Sequence, residues 1–229
     1  MQVVMIHGQN HHGSTYHIGR LFADAIGGSV TEFFLPRDFS SFCVGCCNCF
    51  MHHETKCPHY AKLKPITDAI DAADVLILTS PVYVYHVTGS MKAFLDHYGY
   101  RWMVHRPEAS MFHKQAVCIT TAAGAGMRST LKDMAHSLFF WGTAKIYRYG
   151  AAVHAISWDE IPEKKRAVYA QRAAATAKKI RRRGEKACPG IKTRGFFFLM
   201  HLAQRKGFNA ADAQYWKEKG WTGKTRPWK

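Results

Sequence analysis

The sequence predicts an α/β fold in which five parallel strands form one doubly wound sheet in the order 2-1-3-4-5. Strand-like and helix-like patterns alternate along the first two thirds of its 229 residues, as a parallel sheet with helices on both faces requires. Residues 75–80 form a nearly continuous apolar run, which is typical of a strand that is buried on both sides. Several helical segments carry apolar residues at a spacing of three or four. We therefore expect ligands to bind beyond the carboxyl ends of the strands, near the point where the strand order reverses.

The elements follow one another in a regular order. The predicted strands are residues 3–7, 30–35, 75–80, 116–121 and 145–149, and the predicted helices are 14–26, 62–73, 88–98, 128–140 and 162–183. Gly8 ends the first strand and Pro36 ends the second. The first helix has Ile18, Leu21 and Phe22 on one face, and the last helix has its cations near its C-terminal end, where they complement the helix dipole.

Composition is ordinary apart from charge. Apolar residues make up 47% of the chain and charged residues 21%, which excludes wholesale disorder. No stretch reaches the roughly 20 apolar residues of a membrane-spanning helix, and the first residues show no basic leader before the apolar run. We therefore expect a soluble, cytoplasmic protein.

The net charge of +16 lies mostly in the last 79 residues, which carry 19 basic and six acidic side chains. A solvated helix face is the interpretation we favour. Nucleic acid, anionic lipid and an acidic protein partner are the alternatives. Because no nucleic-acid-binding signature accompanies the charge, we do not expect a nucleic-acid partner.

Three loops are predicted to meet at one edge of the sheet. The first, residues 8–14, leads into a helix whose free N–H groups, with the hydroxyls of Ser14 and Thr15, suit a phosphate. It matches neither the dinucleotide fingerprint nor the P-loop, and a plain capped turn is the alternative. The second, residues 81–87, offers Tyr83 and Tyr85 to a flat ring, unless they only cover the sheet edge. The third, residues 122–126, has small side chains that allow close approach. Together they predict a mononucleotide site, and flavin mononucleotide (FMN) is the natural candidate.

Five of the seven cysteines lie within fifteen residues and follow the pattern C-x2-C-x2-C-x7-C-P from Cys43 to Pro58. In a reducing compartment such a cluster indicates metal or redox chemistry rather than disulfides. Compact iron–sulfur motifs use this opening and this Cys-Pro ending. The alternatives are zinc held by thiolates, with His52, His53 or His59 as further ligands, and cysteines without a metal. Cys118 is predicted to lie in the core, and Cys188 has no visible partner.

Residues 8–15, 80–83, 89–96 and 121–124 resemble the flavodoxin-like NAD(P)H-dependent FMN reductases. The cysteine segment resembles that of their iron–sulfur flavoprotein branch. The resemblance covers about residues 1–183 and implies a flavodoxin-like fold with noncovalently bound FMN. It assigns the phosphate loop to Gln9, His11, Ser14 and Thr15, and the ring contacts to Pro81, Val82, Tyr83, Thr121, Ala122 and Gly124. It also implies a [4Fe–4S] cluster on Cys43, Cys46, Cys49 and Cys57, with Cys47 spare.

The sequence departs from the family pattern at two places. Gln9-Asn10-His11 stands where the family usually has Ser-Pro-Arg, so phosphate affinity depends more on the helix N-terminus here. Pro58-His59 replaces an acidic pair that often follows the last cysteine, which affects the local capping.

The expected function is an FMN-dependent oxidoreductase that passes electrons from NAD(P)H through FMN to a quinone, a flavin or another small acceptor, directly or through the cluster. No side-chain acid or base is required for this transfer. One alternative is an electron carrier that docks an acidic redox partner such as a ferredoxin. Another is a protein that binds anionic surfaces through its basic tail.

The chain is expected to have two parts. Residues 1–183 would form the FMN-binding domain, with the cysteine-rich insertion at 43–57, and residues 184–229 a basic, helical, aromatic appendage. The apolar run 195–200 and Tyr215, Trp216 and Trp221 would pack on this domain or on a second subunit. We expect a homodimer or a larger symmetric assembly.

Overall fold

The computed structural model describes residues 1–207 and 209–229, and all of their side chains except that of Glu185. Five parallel strands form one sheet in the order β2-β1-β3-β4-β5, as predicted. They are β1 (Gln2–His7), β2 (Ser29–Phe34), β3 (Val75–Thr79), β4 (Gln115–Ala122) and β5 (Lys145–Ala152). The register places Val3 beside Val30 on one side and Val75 on the other. The strand order therefore reverses between β1 and β3, which is where the loops predicted to bind a ligand begin.

Eight α-helices accompany the sheet in the described part of the chain. They are α1 (Ser14–Ile26), α2 (Asn48–Met51), α3 (Tyr60–Ala72), α4 (Gly89–Asp96), α5 (Met127–Phe140), α6 (Glu163–Arg183), α7 (Ile191–Gln204) and α8 (Ala210–Glu218). Predicted boundaries shift by a few residues. The predicted helix 62–73 begins two residues earlier, and β5 continues to Ala152 because its last residues still pair with β4. None of the described helices is both long and apolar enough to span a membrane.

Two hydrophobic cores lie on the two faces of the sheet, because successive strand residues point to opposite sides. In β1, Val4 and Ile6 face α3, α4 and α5, whereas Val3 and Met5 face α1 and α6. β3 is buried along its whole length, which explains its uninterrupted apolar sequence. Cys118 in β4 is fully buried, as predicted, and burial raises the pKa of its thiol to about 12.

The C-terminal segment builds a third core. Phe197 of α7 and Trp216 of α8 are fully buried against Met103 and Phe112, together with Trp221. These aromatic residues attach residues 184–229 to the α/β unit. On the outer face of α7, Phe198 and Leu199 are about half exposed, at 53% and 55%.

Candidate functional site

The first and second loops meet at the carboxyl edge of β1 and β3. The amide of Gly8 donates to the carbonyl of Thr79 at 2.7 Å, and the hydroxyl of Thr88 donates to the carbonyl of Gly8 at 2.7 Å. Thr88 also caps α4 by accepting from the amide of Met91. A side chain at position 8 would collide with Thr88, since its Cβ would lie 2.7 Å from that hydroxyl. Only glycine therefore permits this close junction.

The N-terminus of α1 is open to an anion. Gly13 precedes the helix without any side-chain cap, and the first turn contains no acidic residue. The hydroxyl of Ser14 is buried and has no hydrogen-bond partner among the described residues. Next to it, the hydroxyl oxygens of Thr15 and Thr121 lie 2.5 Å apart. A helix start with free N–H groups, a partial positive charge and an unpartnered hydroxyl favours a bound phosphate.

A small cavity of about 20 Å³ lies in front of this helix, and its walls include four predicted residues, Gln9, His11, Thr15 and Pro81. The ring of His11 packs so close to Gly13 that a Cβ there would lie 2.8 Å away. The first loop thus folds back over its own helix start. Gln9 and His11 from the loop and Thr15 from α1 thus share one pocket, and Ser14 does not line it.

The second and third loops are joined at the other end of this site. The amide of Val82 donates to the carbonyl of Thr121 at 2.9 Å, and the side-chain amide of Gln9 donates to the phenol oxygen of Tyr83. Tyr83 is 49% exposed. Ala122 is buried at the end of β4, whereas Gly124 is exposed with open space around its Cα. Tyr83 and Gly124 are therefore both accessible from solvent at this end of the site.

The tip of the second loop is strained. Tyr83 and His86 pair through two backbone hydrogen bonds of 2.9 Å, and the turn between them has φ values of 47° at Val84 and 66° at Tyr85. Such angles are unfavourable for a branched residue such as valine. Val84 is nonetheless 93% exposed. An exposed apolar residue in a strained turn at the mouth of a site is well placed to contact a substrate.

His7, which sequence reasoning treated only as the end of a strand, lies directly beneath this edge. Its ring is 2% exposed, with Nδ1 at 3.0 Å from the hydroxyl of Thr79 and Nε2 at 2.9 Å from the carboxylate of Glu32. Burial lowers the pKa of His7 and outweighs the opposite effect of Glu32. A histidine inside an otherwise apolar strand is the signal that could have identified it.

The four predicted metal ligands line one cavity. Burial is the main cause that raises the pKa of the Cys49 thiol to about 11, and the neighbouring thiols of Cys57, Cys43 and Cys46 act in the same direction. Cys47 lines the same cavity, which has a volume of about 50 Å³, and its thiol donates to the carbonyl of Gly45 at 3.4 Å.

The spacing of these thiols is wide. A single tetrahedral zinc ion with Zn–S bonds of about 2.3 Å holds its sulfur atoms about 3.8 Å apart. Over residues 1–207 and 209–229, no three of the four sulfur atoms lie within 4.8 Å of one another. The arrangement is therefore more open than a mononuclear four-thiolate site requires.

The C-terminal segment anchors the cysteine segment through a buried ion pair that the sequence did not reveal. Arg106 contacts Asp212 of α8 at 2.5 Å, and the exposed fractions of the two side chains are 5% and 2%. The same guanidinium donates to the carbonyl oxygens of Cys49 and Phe50. Asn209 donates to the carbonyl of Phe50 as well, at 3.1 Å. Because these partners are far apart in the chain, no local pattern could have indicated them.

The fold and this edge define a class of protein, the flavodoxin-like α/β proteins, with the strand order 2-1-3-4-5 and the ligand-binding loops at the carboxyl ends of the strands. Within that class, the chain belongs to the NADPH-dependent FMN reductase family, whose family model matches residues 1–156. The chain is an NAD(P)H-dependent flavoprotein oxidoreductase.

One relative and two solved structures are similar to this chain. An iron-sulfur flavoprotein of Archaeoglobus fulgidus is 28% identical over 187 residues, which is 79% of each chain. Among solved structures, a flavone reductase has a TM-score of 0.60 at 13% identity, with 83% of this chain and 66% of that chain covered. An NAD(P)H:quinone oxidoreductase of Methanothermobacter marburgensis has a TM-score of 0.58 at 16% identity, with 77% and 95% covered. The two structural likenesses confirm the fold.

Proposed function

We propose that this protein binds FMN across the three loops and passes electrons from NAD(P)H to a quinone, a flavin or another small acceptor, with a [4Fe–4S] cluster on Cys43, Cys46, Cys49 and Cys57. The observation that carries the proposal is the unpartnered, buried hydroxyl of Ser14 at an uncapped helix start. The structural neighbours include a flavone reductase and an NAD(P)H:quinone oxidoreductase, which supports a quinone or flavone as acceptor.

The phosphate end of FMN would be held by the backbone N–H groups of α1 and by Ser14 and Thr15. Gln9 and His11 would close this pocket from the first loop. Because no arginine or lysine takes part, most of the attraction comes from the helix terminus and hydrogen bonds. Such binding is less sensitive to salt than binding by exposed cations.

The ring end would lie between Pro81, Val82 and Tyr83 on one side and the third loop on the other. The contact between Gln9 and Tyr83 ties the ring loop to the phosphate loop, so both ends of the site are positioned together. Gly124 would let the ring approach the backbone closely. When bound, FMN supplies the hydride and electron transfer, while the residues named here bind and orient it.

In the described structure no three of these four sulfur atoms lie within 4.8 Å of one another, which argues against a four-thiolate zinc site. The cysteine spacing in the sequence supports an iron–sulfur cluster. Cys43, Cys46, Cys49 and Cys57 would hold the cluster, which supplies one-electron transfer. Arg106 and Asn209 would position Cys49 through the backbone carbonyls of the short helix α2.

An electron carrier without its own substrate site is the second candidate. The basic surface of the C-terminal segment favours it, since exposed cations attract an acidic partner such as a ferredoxin. Rapid mixing of the purified protein with NADH and NADPH distinguishes the two. Fast bleaching of the flavin supports the reductase, whereas no reaction supports the carrier.

We also propose a homodimer or a larger symmetric assembly. The outer face of α7 exposes Ile191, Phe198, Leu199 and Leu202, which is unusual for a monomer. Gel filtration of the wild type and of Leu199→Ser tests this, and a monomeric wild type contradicts it.

The decisive experiment for the FMN site compares two serine variants. Both Ser14 and Ser110 have buried hydroxyls without a partner in the described structure, but Ser110 borders a cavity that also contains Met1 and Gln115, at the amino ends of β1 and β4. Ser14→Ala is expected to weaken FMN binding by roughly tenfold, the loss of one hydrogen bond to a charged group. Ser110→Ala leaves FMN binding unchanged. Equal effects of both variants would remove the basis of the proposal.

Metal content is tested separately. Anaerobic purification is followed by an optical spectrum and by iron, sulfide and zinc analysis. About four iron and four sulfide per chain are expected. Failure to take up iron and sulfide on anaerobic reconstitution after zinc has been removed with a chelator contradicts the cluster and leaves the FMN proposal intact.

A further inference from the structure

We propose that Cys57, His59 and His97 form a site for one divalent transition-metal ion, with Zn²⁺ as the expected occupant. The site is distinct from the four-thiolate set and would be filled in protein that lacks the cluster. The proposal goes beyond the proposed function and shares only Cys57 with it.

The three side chains already lie at the distances that a single ion requires. One ligand atom from each lies within 4.8 Å of the other two, and Nδ1 of His59 is 3.0 Å from Nε2 of His97. Zn–N bonds of about 2.0–2.1 Å in a tetrahedron place two nitrogen atoms about 3.3 Å apart. The imidazole rings therefore need to separate by only a few tenths of an ångström.

The orientation of His97 is fixed by the protein. Its ring is 5% exposed, and its Nδ1 lies 2.8 Å from the carbonyl oxygen of Ala93. A carbonyl only accepts, so Nδ1 must carry the proton and Nε2 presents a lone pair toward His59. Metal-bound histidines are commonly held by such a second hydrogen bond from the opposite ring nitrogen. Phe39 packs edge-on against the ring at 4.8 Å and restricts its rotation.

His59 and Cys57 approach from the other side. His59 lies at the N-terminus of α3, two residues after Cys57, and both are half-buried. The set therefore joins two elements, the end of the cysteine segment and the end of α4. One thiolate and two imidazoles are typical ligands of Zn²⁺, whereas Mg²⁺ and Ca²⁺ prefer oxygen. The fourth position opens to the cavity among the cysteines, where water can complete the tetrahedron.

Binding has a simple proton balance. The Cys57 thiol loses its proton when Zn²⁺ binds, and both imidazoles bind as neutral rings. Because Cys57 belongs to both sets, zinc and the four-cysteine cluster exclude each other. Zinc in the cluster-free protein would block cluster assembly until it is removed.

The test uses the whole chain in two forms. The apo form contains neither cluster nor zinc, and the other form has been reconstituted anaerobically with iron and sulfide. Zn²⁺ is titrated into the apo form against a chromophoric chelator, and Co²⁺ is used as a probe with tetrahedral absorption bands. Iron and sulfide are measured in the reconstituted form. Four variants are compared with the wild type: His97→Gln, Cys46→Ser, Cys57→Ser and the exposed histidine control His53→Gln.

The proposal predicts that some variants lose zinc binding and keep the cluster, whereas others lose the cluster and keep zinc binding. His97→Gln keeps the cluster but binds Zn²⁺ at least about 100-fold more weakly, since even a second-shell partner is worth roughly 10–100-fold. Cys46→Ser loses the cluster but keeps the zinc affinity, Cys57→Ser loses both, and His53→Gln loses neither. If His97→Gln fails to fold, as judged by its circular dichroism, His59→Gln replaces it with the same expected result.

The opposite outcomes overturn the proposal. Unchanged zinc affinity in His97→Gln, or loss of zinc binding in Cys46→Ser, would place the ion on the cysteines. If the wild type takes up no cluster, the proposed cluster fails, while the zinc titration is still decisive for this site.

Discussion

Arg106 and Asp212 form a buried ion pair at 2.5 Å that joins the C-terminal helix α8 to the segment between α4 and β4. The remaining guanidinium contacts reach the carbonyl oxygens of Cys49 and Phe50. Nδ1 of His105 donates to the second carboxylate oxygen of Asp212 at 2.8 Å. The C-terminal segment is thus coupled to the cysteine segment by polar contacts as well as by the third core.

Breaking this pair should be costly. Asp212→Asn leaves the Arg106 guanidinium buried without its charge partner, which typically costs about 3–5 kcal/mol. Urea unfolding should show this loss. The control is Lys64→Gln, which removes an exposed pair with Asp68 and should cost at most about 0.5 kcal/mol. A similar small loss in both variants would contradict a stabilising role of the pair.

The two glycines of the third loop should respond differently to alanine. Gly126 has φ 88°, and a Cβ there would lie 2.6 Å from Val82, so Gly126→Ala should lower the free energy of unfolding by about 1–2 kcal/mol. Gly124 has open space around it, so Gly124→Ala should leave stability unchanged. In FMN titrations, however, Gly124→Ala should weaken binding, because its methyl group would stand against the ring. Normal FMN affinity in Gly124→Ala would exclude close contact at that position.

Stability should fall in mild acid because of His7. Burial is the main cause that lowers its pKa. The nearby His12 and Arg20 lower the pKa as well, whereas Glu32 raises it. When the pH falls below the ordinary histidine pKa of 6.5, His7 becomes protonated in the unfolded chain but stays neutral in the folded protein. The free energy of unfolding should therefore rise with pH between the folded pKa and 6.5.

Urea unfolding at several pH values between about 5 and 7 measures this slope. His7→Gln keeps hydrogen-bonding groups beside Thr79 and should reduce the slope, whereas the exposed control His52→Gln should retain it. A slope that is unchanged in His7→Gln would assign the pH dependence to another group.

Substitution of two neighbouring cysteines should have different effects on the metal content of the protein. Cys47 has φ 58° and its thiol faces the carbonyl of Gly45, so Cys47→Ser should retain the iron and sulfide of the wild type. Cys49→Ser should lose most of both, because Cys49 faces the other three thiols. Iron analysis after anaerobic reconstitution provides the measurement. Retention of a full cluster in Cys49→Ser would require Cys47 as a ligand.

Relieving the strained turn should stabilise the protein. Asparagine tolerates the left-handed region better than valine, so Val84→Asn should raise the free energy of unfolding by about 1 kcal/mol. If the apolar side chain contacts the substrate, KM for NAD(P)H or for the acceptor rises while FMN affinity stays constant. Val168→Asn, an exposed position in the regular helix α6, is the control and should not stabilise.

Much of the fold follows from sequence patterns because they are local. The apolar run at 75–80 predicts a central strand, and the helical spacing of Ile18 and Phe22 predicts the face of α1 that packs on the sheet. The convergence of the loops follows from the rule that parallel strands end at one edge. The cysteine spacing is equally local, so the four candidate ligands could be named from the sequence.

The contacts that were missed are all distant in the chain. His97 was part of a predicted helix, and nothing near it indicated that His59, 38 residues earlier, would lie 3.0 Å away. Arg106 and Asp212 are separated by 106 residues. The assignment of individual residues to FMN and to the cluster stays a prediction that the experiments above test.

The long reach of the contact between Arg106 and Asp212 has a consequence for the order of events during synthesis. The ribosome releases the cysteine segment long before α8, and domains generally fold from the N-terminal side first. The thiols are therefore exposed to solvent and oxidants while their anchor is still untranslated. Insertion of metal is expected to follow completion of translation, and a stalled nascent chain should react with thiol reagents faster than the finished protein.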